Sequence, residues 1–388
     1  MKITLFATIA GMGGMQMNAR GLTRMLQKAG HEVQVLSSVL DAASRGEIKA
    51  DENDDLLRMG ASIVYLPAQP GVPERIRDFC RMLDAVNAFG PDVLIGMGTS
   101  WHLGLLGAVL PRGVKKIFYE GMAGESNGVK DPRWLVRGFF DELVVQSPRV
   151  GENFNRSFRW KKRTTAIAAF PEPLELTAML PQARLHAIAP GTARAAFFSR
   201  LVEGKQALWL VRQWATLKDL VGILHIHGCG PEQPAIEAFI AENGLAERVR
   251  CCGPYPVGQA YADLLSSYDL TLLPTIFPEG APLVLLESAA CGVPFVANGM
   301  GGIPDYATGN PDCIVVPQQA AFLDGVRRMV AALADGQINQ GRLQRFYLDN
   351  YSQSAIEKRW LDHLSVESGH SRTKLSRLAS KRASAAAP

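Results

Sequence analysis

The sequence has no apolar run approaching the ~18 residues that span a bilayer. Its longest candidates are interrupted by Glu287 or by Pro111, which points away from a membrane-spanning chain. Cysteine is sparse as well. Cys80, Cys229, Cys251, Cys252, Cys291 and Cys313 form no Cys-x-x-Cys pair, and they share no metal-ligand spacing with the seven histidines. Scattered reduced thiols of a cytoplasmic protein, with no metal and no cofactor, are the expectation. A secretory leader is not expected either, although the amino end could pass for a weak one. "MKITLFATIAGMGG" has one lysine and a short apolar stretch, and it reads better as a strand running into a glycine turn. Charge imbalance is confined to one place. Arg372, Lys374, Arg377, Lys381 and Arg382 against Glu367 supply the whole net charge of +4. The rest of the chain is neutral, with no signature of a nucleic-acid-binding fold. The tail 366–388 is poor in bulky apolar residues and rich in Ser and Ala, as expected of a disordered basic tail. Such a tail either stays solvated or touches an anionic surface.

What the chain does have is length and aliphatic content. Its 388 residues, 47% hydrophobic with 37 glycines, suit two α/β domains better than a single core. "KITLFAT" reads as a strand and "AGMGGMQ" as a glycine turn. Met15, Ala19, Leu22, Met25, Leu26 and Ala29 recur at helical spacing, Gly30 stops the helix, and "HEVQVLSS" is the next strand. That is a βαβ unit of a parallel sheet. Further strands are expected at 62–67, 92–98, 115–121 and 142–147. Residues 164–192 hold four prolines and little periodicity, which marks an interdomain crossing. The pattern then restarts, with strands at 195–201, 222–232, 248–255, 269–274, 293–299 and 313–317. Helices fit 205–219, 232–243, 256–267, 282–291 and 319–334, and a last one 352–365. Two doubly wound domains bind ligand at the carboxyl ends of their strands, so the site belongs in the cleft between them.

The stretch "TIFPEGAPLVLLESAACGVPFVANGMGGIP" carries Glu279 and Glu287 in apolar surroundings, where an unpartnered carboxylate costs several kcal/mol, on the order of the unpaired-charge penalty. The loop follows the strand "DLTLLP". Pro282 suits the first turn of a helix, and the free N–H groups around Gly280, Ala281, Pro282 and Leu283 open toward the cleft and favour an anion such as phosphate. Glu279, beside that terminus, suits hydroxyls better than phosphate, and Glu287 suits a second hydroxyl pair. A ligand with phosphates between two polyols, a nucleotide sugar, matches all three. Read alone, Glu287 fits an ordinary pairing with Lys or Arg equally well. Arg200 and Lys205 in "FFSRLVEGK" fall at the carboxyl edge of the second sheet, where they can neutralise a diphosphate leaving group. Gly11, Gly13 and Gly14 offer close backbone approach from the first domain. "GMGGM" is not the dinucleotide fingerprint.

These segments together resemble the retaining glycosyltransferases of the GT-B fold, the family 4 type, over residues 1 to about 365. "GGMQMNARGLTRMLQKAGHEVQVLSS", "SRLVEGK", "GCGPE" and "EGAPLVLLESAACGVPFVANGMGGIPD" carry the resemblance. It implies two Rossmann-like domains facing a cleft. Residues 1–172 would form an acceptor-side domain and 173–192 a linker. Residues 193–348 would form a nucleotide-sugar-binding domain, 349–365 a closing helix and 366–388 the tail. It also implies roles. Arg200 and Lys205 bind the donor diphosphate, Glu279 the transferred sugar and Glu287 the ribose. Gly280 to Leu283, with Gly13, Gly14 and Gly230, line the donor site. The donor is expected to be a UDP-sugar and the acceptor a glycan or lipid-linked glycan of the cell surface. The reaction would need no catalytic metal, in keeping with the missing Asp-x-Asp pair in the cleft loops.

The chain departs from that pattern where a histidine often stands near the reacting sugar. Glu120 occupies the position, and His102 in "GTSWHLG" is an alternative, also readable as a helix-start residue behind the cap Ser100. The Asn-Gly pair usual before the linker is replaced by "AIAAFPEP". The basic run Arg156, Arg159, Lys161, Lys162 and Arg163 around Trp160 reads as a solvated face or as a surface that steers an anionic acceptor or membrane. A sugar-nucleotide epimerase or hydrolase, and a nucleotide-sugar-binding protein without activity, are the competing readings.

Overall fold

The structure is a computed structural model that describes residues 1–11, 13–39, 54–67, 71–174, 188–189 and 191–365. The expected tail and most of the expected linker lie outside these residues. The first domain runs β1 (Lys2–Phe6), α1 (Gly14–Lys28), β2 (Glu32–Val39), α2 (Asp54–Arg58), β3 (Ser62–Pro67), α3 (Val72–Phe89), β4 (Val93–Met97), α4 (Trp101–Val109), β5 (Lys115–Glu120), α5 (Arg133–Phe139), β6 (Glu142–Val145), α6 (Pro148–Phe158) and β7 (Thr164–Ala166). The second runs β8 (Ala193–Phe198), a 3-10 turn (Glu203–Lys205), α7 (Ala207–Arg212), α8 (Trp214–Leu217), β9 (Val221–His227), α9 (Gln233–Glu242), β10 (Val249–Gly253), α10 (Gly258–Ser266), β11 (Leu270–Leu273), α11 (Leu283–Ala290), β12 (Phe295–Asn298), α12 (Ile303–Ala307), β13 (Ile314–Val316), α13 (Phe322–Ala334) and α14 (Gln340–Asn350). A final helix, α15, covers 353–365.

Both sheets are parallel, in the orders β3-β2-β1-β4-β5-β6-β7 and β10-β9-β8-β11-β12-β13. Each reverses direction beside its first strand, the arrangement that opens a crevice at the carboxyl edge of an α/β sheet. Strands such as Val93–Met97 and Leu270–Leu273 are buried throughout, because helices cover both faces of a parallel sheet and leave no polar side. These are the doubly wound halves of a GT-B fold.

Local chemistry sets the helix ends. Gly30 and Gly90 take positive φ (79° and 67°) just past α1 and α3, where a side chain would be strained. The expected helix 205–219 divides at Gln213, and Lys205 is drawn into a separate turn ended by Gln206 at φ 63°. The expected crossing 164–192 begins with a short strand, β7. The closing helix starts at 353, because α14 first packs Leu343 and Tyr347 into the second core. Helix α15 then returns to the first domain, where Ile356, Trp360 and Leu364 join the core built on β1, α1 and β5. The Trp360 ring stacks on Tyr119 at 5.9 Å.

Candidate active site in the interdomain cleft

The carboxyl edges of the two sheets meet. Gly280, in the loop after β11, lies so near the first domain that a Cβ there would sit 2.6 Å from Gln146 Oε1, 2.7 Å from the Gly121 carbonyl and 2.9 Å from the Met122 carbonyl. The amino end of α1 meets the amino end of α11, since a Cβ on Gly14 would touch Leu283 at 3.4 Å. The backbone N–H of Arg149 donates to Asp305 Oδ2 at 2.8 Å across the same cleft. Two helix N-termini therefore converge from opposite domains, and both favour negative charge.

Lys205 and Glu279 come together here. The Lys205 ammonium pairs with Glu279 Oε1, with both side chains mostly buried. Thr275 Oγ1 lies 2.9 Å from the same carboxylate oxygen and 3.1 Å from the Gly204 carbonyl. Asn298, at the end of β12, donates to the carbonyls of Pro274 and Thr275 (2.9 and 3.1 Å) and fixes the loop from behind. The double glycine downstream has a steric reason. A Cβ on Gly301 would stand 1.9 Å from the Glu279 carbonyl, and the Gly302 N–H donates to that carbonyl at 2.8 Å. Arg200 follows β8 at the same edge and is exposed. Gly230 lets the loop after β9 lie directly on the loop after β8, because a Cβ there would be 2.4 Å from the Leu201 carbonyl.

Glu287 is on α11 and buried. Among the described residues, its partners are neither Lys nor Arg. Oε1 accepts the Glu172 N–H at 3.1 Å and Oε2 accepts the Tyr261 hydroxyl at 2.8 Å. Burial pushes its carboxyl up to about 7, with the Glu172 and Tyr261 hydrogen bonds pulling the other way. The Glu172 carboxylate in turn accepts from the Gly258 N–H at 3.1 Å. Tyr255 stacks on Tyr261 at 5.0 Å beside this group.

Glu120 is placed at the end of β5 among partners of its own. Its side chain is buried, Oε2 is 2.9 Å from Arg133 Nη1, and Oε1 accepts the Met122 N–H at 2.7 Å. Arg133 is clamped on its other side by Asp131 at 2.6 Å. An isolated carboxylate cannot remain charged in this core, so it is spent on the ion pair that shapes the loop after β5. His102 is turned away toward α3. Its ring stacks on Phe79 at 6.1 Å, its Nε2 is 3.3 Å from the Arg75 carbonyl, and its N–H donates to the cap Ser100 at 3.2 Å. The basic run is split. Trp160 is buried, Lys162 donates to the Phe140 carbonyl and Arg163 pairs with Glu142 at 3.2 Å. Arg156, Arg159 and Lys161 stay exposed.

Two family models match this chain. Residues 192–332 match glycosyl transferases group 1, and residues 13–169 match the glycosyl transferase 4-like domain. The chain carries, in succession, a glycosyl transferase 4-like domain and a glycosyl transferases group 1 domain. Among curated relatives of this chain, the D-inositol 3-phosphate glycosyltransferase of Nocardiopsis dassonvillei is 28% identical over 194 residues, 45% of this chain and 44% of that one. A GDP-mannose-dependent alpha-(1-6)-phosphatidylinositol monomannoside mannosyltransferase of Mycolicibacterium smegmatis is 33% identical over 28% of this chain and 30% of its own. The chain thus spans less than half the length of the curated relatives it matches. Among solved structures, Anabaena HepE in complex with UDP and glucose superposes with TM-score 0.69 at 15% identity, over 94% of this chain and all of that one. The lipopolysaccharide outer core galactosyltransferase WaaB superposes with TM-score 0.67 at 15% identity, over 95% of this chain and all of that one. At such identity the likeness shows the shared GT-B fold.

Sequence reasoning missed Thr275, Asn298, Tyr261, Glu172 and Gln146 in this site. Thr275 and Asn298 stand at strand ends, the one available signal, since residues at the carboxyl ends of parallel strands face the crevice. Nothing local marks Tyr261 or Glu172, which lie 26 and 115 residues from Glu287.

Proposed function

We propose that this protein transfers a hexose-type sugar from a nucleotide-sugar donor, a UDP-sugar, to a glycan or lipid-linked acceptor in cell-surface polysaccharide synthesis, with retention at the anomeric carbon. The observation that carries this reading is the Lys205–Glu279 pair set where the amino ends of α1 and α11 converge. A cation and two rows of free N–H groups suit a diphosphate, and the carboxylate beside them suits sugar hydroxyls. In this reading Arg200 and Lys205 hold the diphosphate between Gly13–Gly14 and Gly280–Leu283, Glu279 binds the sugar and Glu287 the ribose. HepE bound to UDP and glucose supports the donor class. The curated names, which include an inositol phosphate and a phosphatidylinositol mannoside acceptor, support a polyol or lipid-linked acceptor.

Glu120 is held by Arg133, and His102 lies against the Arg75 carbonyl on the α3 side, so this reading assigns neither as the base. A front-face displacement suits that geometry. The bond from the anomeric carbon to phosphate oxygen breaks, the acceptor oxygen bonds to that carbon, and the acceptor proton passes to the leaving phosphate. Lys205, Arg200 and the two helix termini stabilise the charge that develops there. The exposed Arg156, Arg159 and Lys161, with the basic sequence of 366–388, support a peripheral place at the anionic cytoplasmic face of a membrane. The test is a thermal-shift panel of UDP-, GDP-, ADP-, dTDP- and CMP-sugars on the native chain and on Lys205→Ala. A ligand that binds only the folded state raises the melting temperature. UDP-sugars are expected to raise it in the native chain and not in the variant. Silence toward every nucleotide sugar would overturn the reading.

A further inference from the structure

The sequence offers no metal-ligand spacing, yet the fold assembles a ligand set outside the cleft residues discussed above. His225 and His227 alternate along β9, so both imidazoles fall on one face of the second sheet. The neighbouring strand β10 is irregular there. Cys251 pairs with Ile226 and Gly253 with His227, leaving Cys252 as an extra residue between the rungs. A bulge re-aims the side chain it carries, and here it carries a thiol. His225, His227 and Cys252 bring one nitrogen each and one sulfur within 4.8 Å of one another. The Tyr268 hydroxyl lies 2.8 Å from His225 Nδ1 and 2.8 Å from His227 Nε2 and holds the two rings in register. The His227 ring is also stacked on Phe198 at 4.5 Å, which fixes its plane.

We infer that His225, His227 and Cys252 form a binding site for a thiolate- and imidazole-preferring divalent metal of the zinc type, with Tyr268 completing the cluster. Two imidazoles and one thiolate leave a tetrahedral ion one open position, which the Tyr268 oxygen or a water fills. Tetrahedral zinc needs ligand nitrogen and sulfur atoms roughly 3.5 Å apart, from metal–ligand distances of about 2.0 and 2.3 Å. The present spacing, within 4.8 Å, is wider than this, so binding would draw the three side chains together. On binding, the Cys252 thiol gives its proton to water as the metal–sulfur bond forms, and the thiolate offsets the nearby arginines. The ion would tie the carboxyl end of β9 to β10 and, through the Tyr268 side chain, to the residues that precede β11. It would act on the rigidity of that edge and takes no part in the transfer step. The site does not depend on the donor reading.

The probe is Co²⁺ titrated into metal-free full-length protein and followed by absorption. A thiolate-to-cobalt charge-transfer band together with tetrahedral ligand-field bands is expected at one equivalent, removed by Zn²⁺ in competition. Cys252→Ser should abolish the charge-transfer band and His225→Asn should weaken binding by at least tenfold, while the single variants Cys251→Ser and Cys229→Ser leave it intact. Circular dichroism and the native melting temperature of each apo variant confirm that it folds. The inference is overturned if native protein gives no thiolate band. It is equally overturned if the band survives in Cys252→Ser or if it vanishes in Cys229→Ser.

Discussion

Glu287 invites a test in which stability and function move in opposite directions. Its carboxylate has two neutral donors, the Glu172 N–H and the Tyr261 hydroxyl, and is buried with no cation among its hydrogen-bond partners. Burial therefore outweighs hydrogen bonding and lifts the carboxyl from 4.5 to about 7. The sign follows from linkage. Below the unfolded value both states hold the proton and nothing is lost. Between 4.5 and about 7 the unfolded chain ionises first, so the folded state loses stability as pH rises. Above that window the loss is complete. At about 1.4 kcal/mol per unit, the full effect is about 3 kcal/mol.

Glu287→Gln keeps the shape and removes the charge. Its carbonyl still accepts from Glu172, and its amide donates to Tyr261, whose hydroxyl turns round to accept. Urea unfolding of both proteins is expected to give equal stabilities near the acid end of the window. The variant should gain steadily on the native chain up to about pH 7 and hold an advantage of about 3 kcal/mol beyond it. Carboxylates elsewhere titrate alike in both proteins and cancel in the difference. The same variant should lose the nucleotide-sugar thermal shift if this carboxylate receives the ribose, a gain of stability bought with function. A pH-independent difference, or a glutamine variant less stable than native at about pH 8, would refute the account of burial as the dominant force.

Other consequences follow from the same geometry. Arg133→Met strands the buried carboxylates of Glu120 and Asp131 together and should cost about 3–5 kcal/mol at neutral pH; part of that should return at acid pH as both carboxyls take protons, read by urea unfolding across pH. Gly280→Ala sets a methyl against two backbone carbonyls of the first domain, so the cleft should no longer close fully; turnover should fall at least tenfold while the donor thermal shift persists, checked by steady-state kinetics beside melting curves. Trp360→Ala empties the fully buried site where α15 crosses to the first domain and should cost about 3–5 kcal/mol, with protease cleavage appearing first after residue 352.

Local signals made the architecture legible, and long-range pairing hid the rest. Strand, glycine turn and helix are set within a few residues, so "KITLFAT", "SIVYLP" and "DLTLLP" fall in the sheets where the sequence reading put them. β7 escaped because three residues, Thr164 to Ala166, at a sheet edge and only partly buried, show no apolar pattern. α12 escaped for the same reason, being five residues long. The two glutamates show the limit more sharply. Seven residues separate them, yet one is in a loop and the other is two turns into the structure that follows, so they meet different partners. Glu279 took the lysine of "SRLVEGK", 74 residues away, a pairing the sequence reading did not make, although it put both residues at the cleft edge. Glu287 took a backbone amide and a tyrosine hydroxyl, neither of which has any sequence mark, and the expected alternative of a Lys or Arg partner fails on that observation. Glu120 shows the same limit from the other side. It stands at the strand end where a cleft residue belongs, but Arg133, 13 residues on, captures its charge. His-x-His on β9 and Cys252 on β10 looked unrelated because only a one-residue bulge brings them together. Chemistry that depends on which strand end a residue occupies is thus readable from the chain, and chemistry that depends on what lies across from it has to be measured at the residue itself.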